Sequence, residues 1–378
     1  MAANQVSCIW KNPNITRDYR TGVSLHSHTN HSNEKLQFIP AFAEKWSPMR
    51  RALEHLCTKS AIPVDFGRAY WTPPLSPRHA LEVETKQFED GLGLAALVSI
   101  TDHDSIKAPA ALQMSAETDG VPLSMEWSVP FRGNVFHLGI QNLPPERAQA
   151  IADELNACTT AACEEHASDL LSMLHGMPDV LIVFNHPLWD MAGWGTDRHA
   201  AAIDQFIERN QGMLHALELN GMRKWTENRY VMPLAERWKL PLISGGDRHA
   251  CEPSASVNLT NAQSFAEFVH EVRREKLSHV LFMAQYAEPM CVRVTHSVLD
   301  VIREYPNYPE GWRRWDDRVF HPDRNGVPVP LSSMWTKPPE YINRVMAFVR
   351  LAENTTIQKG LRRIYPGDAE LHPSEVVS

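Results

Sequence analysis

The chain has 378 residues and a mass of 42.8 kDa, with 43% hydrophobic and 22% charged residues. This is the composition of a folded globular protein, and it excludes a wholly disordered or collagen-like chain. The formal net charge is −8 and the basic residues form no long run, so we expect no long duplex nucleic acid as a partner.

The cysteines and the apolar runs bear on two further questions, whether the protein has a thiol-based site and whether it enters a membrane. The six cysteines include no C-x-x-C pair, so neither a thiolate zinc site nor a thioredoxin-like motif is indicated. The N-terminal segment is polar, and the longest apolar run, near 92–100, is too short to span a membrane. We therefore expect no signal peptide, no membrane partner and a cytoplasmic location.

Seven short apolar runs predict buried strands, and stretches with helical periodicity lie between most of them. The predicted strands are Gly22–His28, Leu94–Thr101, Val121–Val129, Val135–Ile140, Asp179–Asn185, Leu214–Asn220 and Leu240–Gly246. The predicted helices are Arg78–Gly91, Glu146–Leu155, His166–His175, Ala201–Asn210, Asn228–Trp238 and Ser264–Lys276. This alternation predicts a parallel α/β fold.

Two segments fall outside this alternation. Residues 34–76 separate the first two predicted strands by far more than the usual βα loop of about 2–6 residues, so we expect an insertion that acts as a lid or a partner surface. The segment from 289 onward is rich in Pro, Trp and Arg. We therefore predict a main domain over 1–288 and a C-terminal extension over 289–378 that packs on it.

Imidazoles and carboxylates follow nearly every predicted strand, and the carboxyl ends of strands are where chemistry gathers in α/β folds. His26 with His28, and Asp247 with His249, are each two residues apart on a strand, so the side chains of each pair share a face. Glu126 lies in an otherwise apolar strand, where its charge is costly to bury unless it meets a cation. The further imidazoles at strand ends belong to His103, His137 and His186. Nitrogen and oxygen ligands of this kind suit zinc, manganese or iron.

At these residues the sequence resembles the PHP (polymerase and histidinol phosphatase) superfamily. Its four motifs occur in order as HSHT at His26–Thr29, TDHD at Thr101–Asp104, NHP at Asn185–Pro187 and GDRH at Gly246–His249. The resemblance covers about Gly22 to Met283, and the insertion and the C-terminal extension lie outside it. It implies a distorted seven-stranded (β/α) barrel, with two or three divalent ions (Zn, Mn or Fe) at the carboxyl ends of the strands.

The resemblance also implies how the ligands divide among the ions. The first ion would be held by His26, His28, Glu126 and Asp247, the second by Glu126, His137 and His186, and the third by His103 and His249 with one more ligand. Many members have an aspartate for that ligand, five residues after the second histidine of H-x-H, where this chain has Asn33. His31 or Glu34 could replace it, so the candidates for the third position are His31, Asn33 and Glu34.

Seven residues are candidates for catalysis or substrate binding. The catalytic candidates are Asp102, Asp104 and Arg248. The two aspartates would orient ligands or protonate a leaving group, and the arginine would contact substrate or form a structural salt bridge. The substrate-binding candidates are Lys107, Arg132, Asn220 and Trp189. The alternative for Lys107 and Arg132 is a solvated surface charge. For Asn220 it is an Asn-Gly turn, and for Trp189 it is packing in the core.

The resemblance implies a metal-dependent phosphoesterase that cleaves a small phosphorylated substrate, such as a nucleotide or a phosphate monoester, by hydroxide attack on phosphorus. One alternative is amidohydrolase-type cleavage of C–N or C–O bonds on the same kind of barrel. Such barrels usually use a lysine or carboxylated lysine bridge, however, where this chain has Glu126. The other alternative is a metal-stabilised binding module without catalysis.

Overall fold

The computed structural model describes residues 3–36, 65–118, 120–303 and 314–334, with scattered positions between 50 and 54 and between 340 and 360. Parts of the predicted insertion and of the C-terminal extension therefore lie outside the described residues. The described chain is a mixed α/β structure. None of its described helices is long and apolar enough to cross a membrane.

The strands form two five-stranded sheets and one small sheet. The first five-stranded sheet has the spatial order β1 (Ala3–Cys8), β12 (Leu277–Phe282), β11 (Ser256–Thr260), β2 (Thr21–Ser24) and β5 (Ala95–Val98). The second has the order β10 (Leu242–Gly245), β9 (Ala216–Asn220), β8 (Leu181–Phe184), β7 (Asn134–Leu143) and β6 (Leu123–Phe131). The small sheet has the order β14 (Pro328–Pro330), β13 (Val319–Pro322), β4 (Tyr70–Trp71) and β3 (Glu34–Lys35).

Helices connect most of the strands, as the periodicity predicts. The described helices are α1 (Pro77–Leu92), α2 (Lys107–Gln113), α3 (Ala148–Ala161), α4 (Glu164–His175), α5 (Thr196–Arg209), α6 (Trp225–Trp238), α7 (Phe265–His270), α8 (Met290–Ile302) and α9 (Leu331–Met334). A π-helical turn over Glu271–Glu275 continues α7. Ser76 begins α1 by accepting a hydrogen bond from the backbone N–H of His79, and Gly93 ends it in a left-handed conformation.

The predicted all-parallel arrangement is wrong for part of the chain. β6 pairs antiparallel with β7, β7 pairs antiparallel with β8, and β11 is antiparallel to both of its neighbours. The physical reason at β6 and β7 is the two-residue connection Arg132-Gly133, whose φ angles of 51° and 77° are both positive. Such a turn joins adjacent antiparallel strands and leaves no room for a crossover helix.

Three strands of the first five-stranded sheet were not predicted: β1, β11 and β12. β1 pairs in parallel with β12 over six residues, although its sequence looks polar. The polarity is on one face only, because Val6 and Cys8 are buried whereas Gln5 is exposed. This two-residue alternation is the signature of a half-buried strand.

The seven predicted strands are all present, but they divide between the two five-stranded sheets. Among the described residues, no continuous ladder joins β5 to β6 or β10 to β2, so a closed seven-stranded barrel is not shown. Each gap is crossed by an isolated parallel bridge, between His103 and Glu126 and between Ser27 and Arg248. The two sheets therefore meet at the carboxyl ends of their strands.

Apolar side chains from both sheets pack in one interior. Val23 of β2 belongs to the same buried cluster as Val183 of β8, Ala216 of β9 and Ile243 of β10. Each fully buried aliphatic side chain contributes roughly 1.5–3 kcal/mol to stability. This packing holds the sheets together just beneath the strand ends.

The small sheet combines the two segments that lie outside the family resemblance. β3 and β4 come from the insertion at 34–76, and β13 and β14 come from the C-terminal extension. β4 is the central link, because it pairs antiparallel with both β3 and β13. The division of the chain at 289 stays a prediction.

Candidate metal centre

The structure brings together all eight side chains predicted from the strand ends. His26 and His28 follow β2, His103 follows β5, Glu126 lies in β6, His137 lies in β7, His186 follows β8, and Asp247 and His249 follow β10. Several of the imidazole rings lie against one another: the ring centroids of His28 and His249 are 4.1 Å apart, and those of His28 and His103 are 4.8 Å apart. The centre therefore draws ligands from the strands of both large sheets.

Glu126 is the central carboxylate of the group. Its side chain is 1% exposed, and burial alone would raise its pKa, but the neighbouring imidazoles, led by that of His26, hold the pKa well below its ordinary value. The imidazole nitrogens within 3.1–3.4 Å of its two oxygens belong to His26, His28, His103, His137 and His186. One carboxylate is thus shared by five imidazoles.

Glu34 completes a second part of the centre. Its Oε2 lies 3.1 Å from His249 Nε2 and 3.3 Å from His103 Nε2, and its Oε1 lies 3.7 Å from His28 Nδ1. Of the three candidates for the third position, only Glu34 is buried among these ligands, because His31 and Asn33 are exposed. Residues 34–35 are extended, and alternation along a strand turns Glu34 to the opposite side from its neighbours.

The ligand atoms fall into four overlapping groups, each with its atoms within 4.8 Å of one another. The groups are His28 with Glu34, His103 and His249; His26 with Glu126 and His186; His26 with His28 and Asp247; and His103 with Glu126 and His137. This differs from the implied division, which places His137 and His186 around one ion. In the structure they lie in separate groups that share Glu126.

The residues fit divalent cations. Glu126 Oε2 and His137 Nδ1 are buried and make no hydrogen bond of regular geometry, although Oε2 lies 3.1–3.4 Å from three imidazole nitrogens and His137 Nδ1 lies 3.4 Å from Glu126 Oε1. A bound cation would satisfy both atoms. Nitrogen and oxygen donors of this kind are those that bind zinc, manganese and iron.

Glu218 orients this centre and was not selected from the sequence. Its Oε1 lies 2.7 Å from His26 Nδ1, and its Oε2 accepts a hydrogen bond from the backbone N–H of His186. A proton held on His26 Nδ1 leaves Nε2 free to bind a cation. Its signal was present in the sequence, because Glu218 is a carboxylate in the apolar strand ALELN, as Glu126 is in its own strand.

Asn220 positions the carboxylates instead of facing solvent. Its side-chain amide donates to Glu218 Oε2 at 3.3 Å and to Asp247 Oδ2 at 3.0 Å. The predicted substrate contact of Asn220 has no support in these contacts. The turn alternative does, because its Oδ1 accepts a hydrogen bond from the backbone N–H of Met222.

A glycine makes room for Glu218. A Cβ atom at Gly245 would lie 1.2 Å from Glu218 Oε1, which is far inside van der Waals contact. The neighbouring strand β10 can therefore pass Glu218 only if this position lacks a side chain. Two ligands on the same rim, His186 and Asp247, have positive φ angles of 26° and 52°, a strained conformation that is typical of functional sites.

The three predicted catalytic residues are engaged by other side chains and by the backbone. Asp102 is fully buried and accepts hydrogen bonds from the N–H and the hydroxyl of Thr29, at 2.6 and 2.7 Å. Burial raises the pKa of Asp102 to about 7 against those hydrogen bonds. Asp104 accepts a backbone N–H, and Arg248 Nε lies 2.9 Å from Glu84 Oε1 in a buried ion pair. These contacts favour the structural salt bridge for Arg248, and the orienting role of the two aspartates stays a prediction.

Trp189 is a predicted substrate residue whose ring lies against the imidazoles of the centre. Its ring centroid lies 5.0 Å from that of His186 and 6.4 Å from that of His137, and it is 37% exposed. The guanidinium of Arg223, which was not predicted, stacks on the indole at 3.8 Å. Lys107 and Arg132 are exposed, at the start of α2 and in the β6–β7 turn. Their described contacts favour the solvated alternative.

Comparisons with known proteins give no family. No protein-family model matches the chain, and no curated protein matches it. Among solved structures, one described as a metal-dependent phosphoesterase from Bifidobacterium adolescentis is similar at 16% identity and a TM-score of 0.33, over 53% of this chain and 91% of that chain. An amidohydrolase from Chromobacterium violaceum, with sulfate and no metal, is similar at 15% identity and a TM-score of 0.32, over 60% of this chain and 87% of that chain. At these TM-scores the similarities identify neither the family nor the reaction.

Proposed function

We propose that the protein is a metal-dependent hydrolase that cleaves the phosphoester of a small substrate, such as a nucleotide or a phosphate monoester. The observation that carries the proposal is the position of Glu126, which belongs to two of the ligand groups and lies within 3.4 Å of five imidazole nitrogens. A shared carboxylate is what a site needs to hold two cations close together, and paired cations are typical of phosphoester hydrolysis. The order of the PHP-like motifs supports the same proposal.

The proposal includes the distorted seven-stranded barrel of the PHP type. The seven strands and the two bridges, at His103–Glu126 and Ser27–Arg248, support it. In this arrangement the ligand-bearing strand ends form one rim, and the apolar interior below them excludes water. Charges interact more strongly in such an environment than in solvent.

Bound Zn, Mn or Fe would supply positive charge for the phosphoryl oxygens and would lower the pKa of the attacking water. Glu126 would keep two such ions close, while His26 and Asp247 hold one of them. Glu218 fixes the proton of His26 on Nδ1, and Trp189 closes one side of the rim. A protein of net charge −8 can thus accept an anionic substrate.

The test is a substrate screen on protein whose bound metal has been counted. With manganese or zinc bound, we expect release of phosphate from phosphomonoesters or cleavage of phosphodiesters. Asp247→Asn should abolish the activity, because it removes a ligand carboxylate, whereas Asp153→Asn, an exposed change on α3, should leave it unaltered. Cleavage of amides or lactones instead would establish the amidohydrolase alternative. No cleavage by the fully loaded protein would establish the binding module.

A further inference from the structure

The small sheet connects the C-terminal extension to a candidate metal ligand. Glu34 lies in β3 and pairs with Trp71 of β4. On its other edge β4 pairs with β13, where Val319 lies opposite Trp71 and Phe320 lies opposite Tyr70. The extension is therefore separated from the strand of Glu34 by a single two-residue strand.

The contacts between β4 and the extension are specific. The rings of Tyr70 and Phe320 stack with centroids 4.9 Å apart and planes 11° from parallel. The backbone N–H of Thr72 donates to the carbonyl of Arg318 at 2.8 Å. Two further hydrogen bonds run from the Asp65 N–H to His321 Nε2, at 2.9 Å, and from the Arg68 guanidinium to the Gly326 carbonyl, at 2.6 Å.

The backbone around Glu34 depends on the same segment. The N–H of Asn30 donates to the carbonyl of Leu75, and the N–H of Leu36 donates to the carbonyl of Ala69. Without β13 and β14, the pair β3 and β4 would be a two-stranded ribbon, and such ribbons are marginally stable in water. The extension supplies the third and fourth strands.

We propose that the C-terminal extension positions Glu34 in its ligand group with His28, His103 and His249, and so controls whether that group retains its ion. Phe320 and Tyr70 are the positioning residues. The inference rests on the proposed function only in that this group binds a cation. The other three groups are carried by strands of the two large sheets and include no residue of the small sheet.

The test counts the ions bound to the full chain across a titration of manganese or zinc, by elemental mass spectrometry after dialysis. Phe320→Ala should weaken the binding of one ion about 10-fold or more, the usual effect of losing support for a ligand, and should leave the others unchanged. Phe320→Tyr, which keeps the stacked ring, should restore wild-type binding. Glu34→Gln should release the same ion, and the double variant should lose no more than Glu34→Gln alone.

Phe265→Ala is the matched control, because it removes a buried aromatic ring of α7 that packs in the apolar cluster between the large sheets and lies outside the small sheet. The proposal is overturned if Phe320→Ala binds every ion with wild-type affinity, or if it weakens all of them equally, as general destabilisation would. If no ion of the wild-type protein depends on Glu34, the third metal position of the proposed function fails together with this inference. A Glu34-dependent ion that is insensitive to Phe320 overturns this inference alone.

Discussion

Two groups of histidines in this protein have opposite surroundings. In one, His175 Nδ1 lies 3.0 Å from His215 Nε2, and His215 Nδ1 accepts the backbone N–H of Ile182. The nearby charge is Arg273, whose guanidinium donates to the carbonyl of His175. Burial, with Arg273 adding to it, lowers the pKa of His215 to about 2. The surroundings of this pair thus lower the pKa of both imidazoles and disfavour their protonated forms.

The candidate metal centre has carboxylates where the His175–His215 pair has an arginine. Burial opposes protonation of His103, but Glu34 and Glu126 outweigh it and raise the pKa of His103 to about 10. The centre also contains two buried polar atoms, Glu126 Oε2 and His137 Nδ1, that make no hydrogen bond of regular geometry. A carboxylate in an apolar strand, more than the histidines themselves, therefore distinguishes a cation site from a structural histidine pair.

The largest effect is expected when the central carboxylate of the candidate metal centre, Glu126, loses its charge. Glu126→Gln should lower kcat about 1,000-fold or more, because loss of the shared carboxylate weakens the binding of cations that contribute several kcal/mol to transition-state stabilisation. The measurement is kcat together with the number of bound ions. Glu165→Gln, an exposed substitution in α4, is the control. Unchanged ion content in Glu126→Gln would contradict the central role of this carboxylate.

A smaller effect on ion binding is expected at Gly245, whose missing side chain leaves space for Glu218. Gly245→Ala places a methyl group 1.2 Å from Glu218 Oε1, so it should lower the free energy of unfolding by about 1–3 kcal/mol and weaken ion binding at the same time. Gly120→Ala is the matched control, since a Cβ atom there meets nothing within 4 Å. Denaturant unfolding of both variants measures the difference. Equal stabilities would show that β10 shifts without cost.

The orienting carboxylate gives a test that leaves the ligands in place. Glu218→Gln should weaken metal affinity about 10-fold, because a neutral amide holds the proton on His26 Nδ1 less firmly than a carboxylate does. Isothermal titration with zinc or manganese measures the change, and the unfolding midpoint of the metal-free variant reports any general damage. Wild-type affinity in a stably folded variant would assign Glu218 a packing role instead.

The His175–His215 pair provides the smallest effect, through pH. The pKa of His215 is about 2 in the folded chain and near 6.5 when unfolded, so below pH 6.5 the unfolded chain takes up a proton that the folded chain refuses. Stability should fall by about 1.4 kcal/mol per pH unit from this group as the pH drops below 6.5. His215→Asn keeps an acceptor for the Ile182 N–H and should remove that part of the slope. His166→Asn, at an exposed position, should retain the wild-type slope.

The sequence predicted an α/β fold and the strand-end ligands because both depend on local features: hydrophobic periodicity and residue type at strand ends. The division of ligands among ions stays a prediction, because His137 and His186 each share Glu126 with a histidine that follows a strand of the other sheet. The sequence left Glu34 as one of three candidates, because the choice depends on the register of a two-residue strand. That register is set by β4, which lies 35 residues later in the chain.

Other differences have equally physical causes. The hairpin of β6 and β7 was not recognised as antiparallel, because its turn is Arg-Gly and not one of the usual Asn-Gly or Asp-Gly pairs. β11 was missed because its polar residue Asn258 is buried, and the burial is made possible by hydrogen bonds to Ser244 of β10, 14 residues earlier in the chain. Such a partner is invisible in a local window of sequence.

The two isolated bridges at the strand ends have a mechanical consequence. His26, His28 and His103 stand on one side of the seam between the sheets, and Glu126, His186 and Asp247 stand on the other. An ion bound by ligands from both sides would link the two five-stranded sheets, which at the strand ends share only these isolated backbone bridges. The stability of the whole protein should therefore rise and fall with the free metal concentration, so that metal supply also governs how long the folded chain persists.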